Sequence, residues 1–337
     1  MKAFELQEFG IAGLRQVEME RPPAGPGQVM VKFHAASLNY RDVMVVDGTY
    51  NPRMRLPAIP LSDAAGEVVE VGTGVTKWKP GDRVCSTVIP AWIDGGPTAA
   101  TARSAIGAGN APGVLREYAA FDEQAIVCAP PNLSFAEAST LPCAALTAWN
   151  ALAVSGKVTA GETVLTLGSG GVSVFAVQFA KLIGARVIAT SSSDEKLEHA
   201  RRVGADETIN YRRHEDWDKA VLDLTDGLGV DHVIEVGGTG TLARSVRSVR
   251  VGGHVALIGA LDMAGDFNPI PVFMKAIRMQ GIFVGSRSMF ENMNKAIESS
   301  DIRPVIDREY AFDEAAEALK YMRSGSHFGK IVIKYET

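Results

Sequence analysis

The chain lacks the residue patterns on which several kinds of protein depend. Its three cysteines, Cys85, Cys128 and Cys143, stand far apart, and no C-x-x-C occurs among the 337 residues. Six scattered histidines make no H-x-x-x-H pair. Neither a structural zinc site nor a disulfide framework is therefore expected. No run of 18 apolar residues exists, so no membrane-spanning helix is expected. The opening Met1-Lys2-Ala3-Phe4-Glu5 has no apolar signal core, which points to a cytoplasmic protein. A net charge of −5 offers no basic surface to nucleic acid. Internal repeats and charge blocks are also missing. The one patch of low complexity, Gly95 to Gly113, reads as a long surface loop. What remains is an ordinary globular composition, 46% hydrophobic and 22% charged, in a chain too long for one compact core. Two domains are expected.

The stretch Val164-Leu165-Thr166-Leu167-Gly168-Ser169-Gly170-Gly171-Val172-Ser173 organises the chain. Val164 to Leu167 is a short buried strand, and a glycine turn follows at once. Val172, Phe175, Ala176, Phe179, Ala180 and Ile183 then recur at helical spacing, and Gly184 ends the run. Strand, glycine turn and helix form the first unit of a nucleotide-binding βαβ fold. The helix N-terminus turns free N–H groups and a positive dipole end toward a pyrophosphate. Ser173 stands where the third glycine of G-x-G-x-x-G is usual, and it is small enough for close helix–strand packing. Further strands are expected at Arg186–Thr190, Thr208–Asn210, His232–Val236, His254–Ile258 and Gly281–Gly285, alternating with helices. This predicts a parallel doubly wound sheet. Ser192 with Glu195 has capping-box spacing for the helix after the second strand. From Glu137 to Val154 the chain is helical in tendency, broken at Pro142.

The first 120 or so residues read differently. Gln28–Ala35, Gly66–Gly72 and Arg83–Cys85 are strands separated by glycine and proline turns, which predicts a small, partly open barrel. The polar cluster Asn39-Tyr40-Arg41-Asp42, followed by Gly48-Thr49-Tyr50, sits at a strand exit. Lys330–Ile333 is a last strand with no place in the parallel sheet, and it is expected in the barrel.

Pro57-Ala58-Ile59-Pro60, Ala65-Gly66-Glu67-Val68-Val69-Glu70-Val71-Gly72 and Lys79-Pro80-Gly81-Asp82-Arg83-Val84, with the loop Gly168 to Ser173, resemble the medium-chain dehydrogenase/reductase superfamily over nearly the whole chain. The resemblance implies an α/β protein. A GroES-like β-barrel catalytic domain would comprise 1–124 and 297–337. A Rossmann domain binding NADP(H) would comprise 125–296, with the cofactor in the cleft between the two. Zinc alcohol dehydrogenases of this superfamily hold a catalytic metal with a Cys, a His and a second Cys. The matching positions here are Asn39, Ser62 and Cys143, and only the last keeps a ligand. The chain is thus similar to the zinc-free quinone oxidoreductase and enoyl reductase branch, and no metal is expected.

Without a Lewis acid, reduction of an activated C=C is easier to arrange than alcohol oxidation. Hydride adds to the β-carbon of an enone or quinone, charge grows on the carbonyl oxygen, and aimed donors plus a proton source complete the step. The candidate catalytic residues are Asn39, Tyr40, Arg41 and Tyr50. By resemblance, Tyr50 matches the proton donor of mitochondrial-type enoyl reductases. Plainer readings stand beside these: Tyr50 as a turn residue, Tyr40 as packing, and Arg41 paired with Asp42 to fix the loop. The cofactor-binding candidates are Gly168, Gly170, Gly171 and Val172 at the glycine turn and Ser191, Ser192 and Lys196 after the second strand. Tyr211 lies beyond the third. The resemblance adds Thr147, Ile258, Val284 and Gly285. Ser191 falls where NAD-binding members carry an aspartate, which predicts a preference for NADPH. Ser192 and Ser193 capping the helix, with Lys196 solvated, is the alternative; Asp194 is the acid that would oppose a 2′-phosphate. The partner is a small molecule, not nucleic acid or membrane. A homodimer is expected, closed by pairing the apolar edge Ile282-Phe283-Val284 across a two-fold axis. The rival functions are a reductase of aldehydes or enoyl thioesters and a non-catalytic NADPH-binding protein.

Overall fold

The computed structural model describes residues 1–259 and 267–335. The chain divides into two compact units, Met1–Leu146 with Gly285–Thr337, and Thr147–Val284. They are called the barrel unit and the sheet unit below.

The barrel unit is built on the ten-residue strand Gln28–Ser37. Val29, Met30, Val31, Phe33, Ala35 and Ala36 along it are all buried, because the strand is covered on both faces. One edge pairs antiparallel with Asp63–Val71, which passes to Arg83–Ser86 and then Ile126–Cys128. The other edge is shared. Tyr118–Asp122 takes its first half, and Lys330–Lys334 takes Ala35, Ala36 and Ser37. Ile306–Ala311 runs parallel to Lys330–Lys334 beyond it. The last strand therefore lies in the barrel, as its isolation from the parallel sheet predicts.

Two expectations need correcting here. Gly95 to Gly113 is not simply a surface loop: Ala105, Ile106 and Ala108 are buried, and Gly107 and Gly113 lie against the backbone of Pro60 and Leu61 so closely that neither has room for a Cβ. The barrel unit also extends past the expected boundaries at 124 and 297. Ile126–Cys128 is a strand of its sheet, and the helix Arg287–Glu298 packs on that strand, Asn294 Nδ2 donating to the Cys128 carbonyl at 2.8 Å.

The sheet unit holds six parallel strands in the order Glu207–Asn210, Arg186–Ser191, Thr163–Leu167, Val230–Glu235, Val249–Leu257 and Arg278–Gly281. In chain order this is third, second, first, fourth, fifth, sixth. The direction of winding reverses between the first and fourth strands, and in such sheets ligands bind beyond the carboxyl ends at that point. Phe175 and Phe179 of the helix Gly171–Ile183 are fully buried, each stabilising the unit by about 1.5–3 kcal/mol.

The sixth strand is misplaced in the sequence reading. It is Arg278–Gly281, and Ile282, Phe283 and Val284 follow it outside the sheet, Val284 at φ +54°. The Ile282 N–H still donates to the Leu257 carbonyl at 2.8 Å. The helical run is interrupted at Pro142, as expected: the helix Phe135–Ala138 ends just before it and a new segment begins. Pro142 lies in the first turn of that helical segment, Leu141–Ala145, where its missing N–H leaves no bond unmade. Among the described residues, no helix is long and apolar enough to cross a membrane.

Candidate functional site

In the sheet unit the glycine turn does what the pattern predicts. Gly168 has φ +74°, which favours glycine, whereas Gly170, at φ −76° and ψ 179°, caps the helix in a conformation open to any residue. A Cβ added at either glycine meets nothing within 4 Å. Protein packing thus gives no reason for glycine at 170. Gly171 and Val172 open the helix, whose first N–H groups lack intrahelical partners. Ser173 is buried and its hydroxyl donates to the Leu167 carbonyl at 2.6 Å, tying helix to strand.

Beyond the carboxyl ends of the strands lies a cavity of about 410 Å³, lined by Leu167, Gly168, Thr190, Tyr211, Glu215, Trp217, Val236, Gly237, Thr241 and Arg244. Gly168 and Tyr211 were predicted at the site; Arg244, Glu215 and the 237–241 loop were not. Arg244 lies 3.9 Å from the buried Asp218, which also accepts from Arg247 Nε at 2.5 Å. Glu235, fully buried, shapes the loop by accepting the N–H groups of Gly237 and Gly238 and the hydroxyls of Thr241 and Ser245.

Ser191 is the last residue of the second strand and is buried. The helix cap is Ser193, not Ser192: its hydroxyl accepts the Lys196 N–H, and the helix runs Asp194–Arg202. Asp194 therefore falls in the first helical turn, where Asn210 Nδ2 donates to it at 2.7 Å and Arg213 pairs with it. Ser191, Ser192 and Lys196 do not line the cavity. Thr147 is buried in the short helix Leu146–Trp149. Ile258 follows the fifth strand, its N–H donating to the Glu235 carbonyl at 2.9 Å. Val284 is β-branched in the left-handed region, a strained conformation, and its carbonyl accepts from the buried Asn150 Nδ2 at 2.7 Å. Gly285 opens the second segment of the barrel unit and has no room for a Cβ beside Leu146.

In the barrel unit the polar cluster forms the start of the helix Tyr40–Val46, with Asn39 as its N-cap. The Asp42 carboxylate accepts the Asn39 N–H at 2.8 Å. Burial raises the Asp42 carboxyl to about 6, with the Arg41 charge opposing. Arg41 does not spend its donors on Asp42. Its Nη2 donates to the Ile106 carbonyl at 2.8 Å, its guanidinium stands 5.4 Å from the centre of the Tyr50 ring, and its Nε and Nη1 are buried without a partner. The structure thus brings Arg41 and Tyr50 together. The rings of Tyr40 and Tyr50 are both exposed.

Asn39, Ser62 and Cys143 also converge, but not as metal ligands. The Asn39 Oδ1 accepts from the Lys330 ammonium at 2.7 Å, and the Ser62 hydroxyl donates to the buried Asp63 at 2.7 Å. Burial pushes the Cys143 thiol up to about 12, and the nearby Asp63 charge adds to this, so it stays protonated. An amide oxygen already bound to a cation and a hydroxyl do not suit zinc, which wants thiolate or imidazole.

Residues 25–131 match the family model of the alcohol dehydrogenase GroES-like domain, and residues 171–299 match that of zinc-binding dehydrogenases. The chain is 44% identical over 335 residues to a zinc-type alcohol dehydrogenase-like protein of Schizosaccharomyces pombe, covering 97% of this chain and 96% of that one. It is 30% identical over 341 residues to the chloroplastic NADPH-dependent alkenal/one oxidoreductase of Arabidopsis thaliana, covering 99% of this chain and 79% of that one. A solved NAD-dependent alcohol dehydrogenase superposes with a TM-score of 0.91 at 33% identity, covering 99% of both chains.

Proposed function

The chain belongs to the medium-chain dehydrogenase/reductase superfamily and is a quinone oxidoreductase-like enzyme, and from that premise we propose that it is an NADPH-dependent, zinc-independent reductase of activated C=C bonds or quinones. The observation that carries this reading is the donor set at the start of the helix Tyr40–Val46, where the metal positions of the superfamily hold no usable ligand set. Bound NADPH supplies a hydride for the β-carbon. Arg41, with two unpartnered donors, faces the charge that develops on the carbonyl oxygen. Tyr50 supplies the proton; the guanidinium over its ring stabilises the phenolate left behind. Tyr40 and Asn39 offer further donors to the same oxygen.

The sheet unit supports NADPH through the glycine turn, which takes the pyrophosphate at Gly168, Gly170, Gly171 and Val172. No carboxylate ends the second strand, where Ser191 stands, and Arg213 and Asn210 already engage Asp194. Glu215 in the cavity, with the NAD-dependent structural neighbour, favours a second reading in which NADH serves equally. NADPH consumption measured over quinones, enones, enoyl thioesters and aldehydes tests the substrate class. Titration with each cofactor tests the preference. Tight NADPH binding without turnover of any substrate would make the protein a binder instead.

The same reading has the enzyme working as a cytoplasmic homodimer. Its support is the polar edge strand Arg278–Gly281 with Val251, Ile270, Phe273 and Met274 exposed in the same unit. Light scattering on the wild type and on Phe273→Asp/Met274→Asp decides it: a wild type of monomer mass rejects the dimer.

A further inference from the structure

The cavity of the sheet unit has one cationic side chain in its lining, Arg244, and the groups around it leave that charge without a full partner. Arg244 lies on the helix Thr239–Ser248, where Thr241, three residues before it, lines the same cavity. Arg247 stands three residues after it. Both guanidiniums lie against one carboxylate, that of Asp218, which is 3% exposed on the neighbouring helix Trp217–Asp223. Arg247 Nε donates to it at 2.5 Å, whereas Arg244 Nε stays 3.9 Å away, buried and without a hydrogen-bond partner. Two cations thus share one anion, and Arg247 holds it. Among the described residues no other carboxylate pairs with Arg244. Asp216 pairs with Lys219 at 2.7 Å, and Glu215, the one acid in the lining, is exposed, so solvent screens its charge. Like charges three apart on a helix cost stability, so packing alone does not call for an arginine at 244.

Gly168 of the glycine turn lines the same cavity, as does Thr190 near the end of the second strand. A dinucleotide with its pyrophosphate on that turn brings its adenosine ribose toward the end of that strand, and so toward the cavity. The strand end is the usual place for a residue that reads the 2′ position. Here Ser191 and Lys196 do not line the cavity, and Arg244 enters it from the helix after the fourth strand. A guanidinium suits a phosphate, because its planar fork offers parallel N–H donors to two oxygens.

We propose that Arg244 selects NADPH over NADH by taking the ribose 2′-phosphate in this cavity. The inference rests on the NADPH reading above and names the group that recognises the phosphate.

The test is direct titration of the full chain, as wild type, Arg244→Gln and Arg244→Lys, with NADPH, NADH, adenosine 2′,5′-bisphosphate and AMP. Glutamine is a good helix former and leaves the Asp218–Arg247 pair whole, so the thermal midpoint should stay near wild type. Wild type should bind the bisphosphate about tenfold more tightly than AMP. In Arg244→Gln the dissociation constants of NADPH and the bisphosphate should rise about tenfold, the scale of one charge-assisted bond, while those of NADH and AMP stay within about twofold. Arg244→Lys keeps the charge without the fork and should fall between. Raising the ionic strength about tenfold should narrow the preference in wild type and leave the ratio in Arg244→Gln unchanged.

An Arg244→Gln protein that keeps the wild-type preference overturns the proposal. So does one that loses AMP and the bisphosphate equally, since the guanidinium would then serve the base or the fold. If Arg244→Gln does not fold, an unchanged preference in Arg244→Lys counts against the proposal in the same way. Wild type that prefers neither cofactor sinks the NADPH reading and this inference together. Wild type that prefers NADPH yet reduces nothing sinks the reductase reading alone, and the same titrations still decide the role of Arg244.

Discussion

Glu235, which shapes the cavity loop of the sheet unit, and the polar cluster of the barrel unit find their partners at very different distances along the chain. In the sheet unit, Glu235 binds Gly237, Gly238, Thr241 and Ser245, the farthest ten residues away. In the barrel unit, Arg41 reaches Ile106 across 65 residues, Asp63 reaches Cys143 across 80, and Asn39 reaches Lys330 across 291. A site assembled from neighbours in sequence keeps its shape as long as one turn does. A site assembled from distant segments holds only when the whole unit is closed. The first tolerates change elsewhere, and the second registers it.

This contrast orders the expected effects. The largest belongs to the barrel site. Arg41→Ala and Tyr50→Phe should each lower kcat on an enone by about 10- to 1,000-fold, the loss of one transition-state donor or proton source. The cofactor dissociation constant should be unchanged, since the sheet unit's turn is intact. Full activity in both variants would assign the chemistry to other donors. Next comes the glycine turn. Gly170→Ala adds a Cβ that meets nothing within 4 Å, so its thermal midpoint should stay near wild type while NADPH affinity falls about 100-fold, as the methyl intrudes where backbone meets phosphate. A variant that binds NADPH normally would show that the turn is only structural. Smaller again is Ser191→Asp, which should erase a preference of about tenfold for NADPH over NADH, judged from the worth of a charge-assisted bond. Titration of both cofactors checks it.

The smallest effect distinguishes the units by the sign of their response to acid. Burial pushes His254 down to about 3, and the Arg278 charge adds to this; burial lowers His232 too. The two rings face each other, Nδ1 to Nδ1, at 3.4 Å. The folded sheet unit refuses protons that the unfolded chain accepts near pH 6.5, so its stability falls as pH drops below that value. Each proton of difference is worth about 1.4 kcal/mol per pH unit. Asp42 behaves oppositely. Its folded value of about 6 lies above that of an unfolded aspartate, so its contribution is fully present below about pH 4 and is lost as pH rises through 6. Burial raises Asp63 as well, while His34, lowered by burial, partly offsets the two. Between pH 7 and 5, peptide-resolved hydrogen exchange, corrected for intrinsic rates, should show the sheet unit loosening more than the barrel unit. The reverse order would break the comparison.

The same difference explains what could be read beforehand. Strand, glycine turn and helix at Val164–Ile183 carry their meaning in spacing, and the structure matches them almost residue for residue. The sixth strand was misplaced because Ile282-Phe283-Val284 is more apolar and β-branched than Arg278–Gly281, whose partner Val249–Leu257 decides the pairing. Ser193 outbid Ser192 as cap by one residue, a choice that backbone geometry makes and composition does not. Asn39, Tyr40, Arg41 and Tyr50 were legible as a polar cluster at a strand exit, but the Arg41–Tyr50 contact was not. Lys330 carried no signal at all: one lysine opening a terminal strand reads as solvated until the register with Ala35–Ser37 is known. Arg244 was missed for the related reason that its anchor, Asp218, lies on another helix.

The division of the barrel unit into two stretches of chain has a consequence for how the protein is made. The ribosome completes all six strands of the parallel sheet, through Gly281, before it adds Lys330. At about 5–20 residues per second, the interval between them lasts a few seconds. Through that interval the nascent chain holds Asp63 without the Lys330 ammonium and Gln28–Ser37 with half of one edge bare. The sheet can mature early, but the barrel waits for its last strand. Stalled chains ending before residue 330 should thus protect sheet-unit peptides from protease while leaving barrel-unit peptides open. Ser62 and Cys143 meet through Asp63 without Lys330, but Asn39 gains its ammonium partner only when synthesis reaches residue 330.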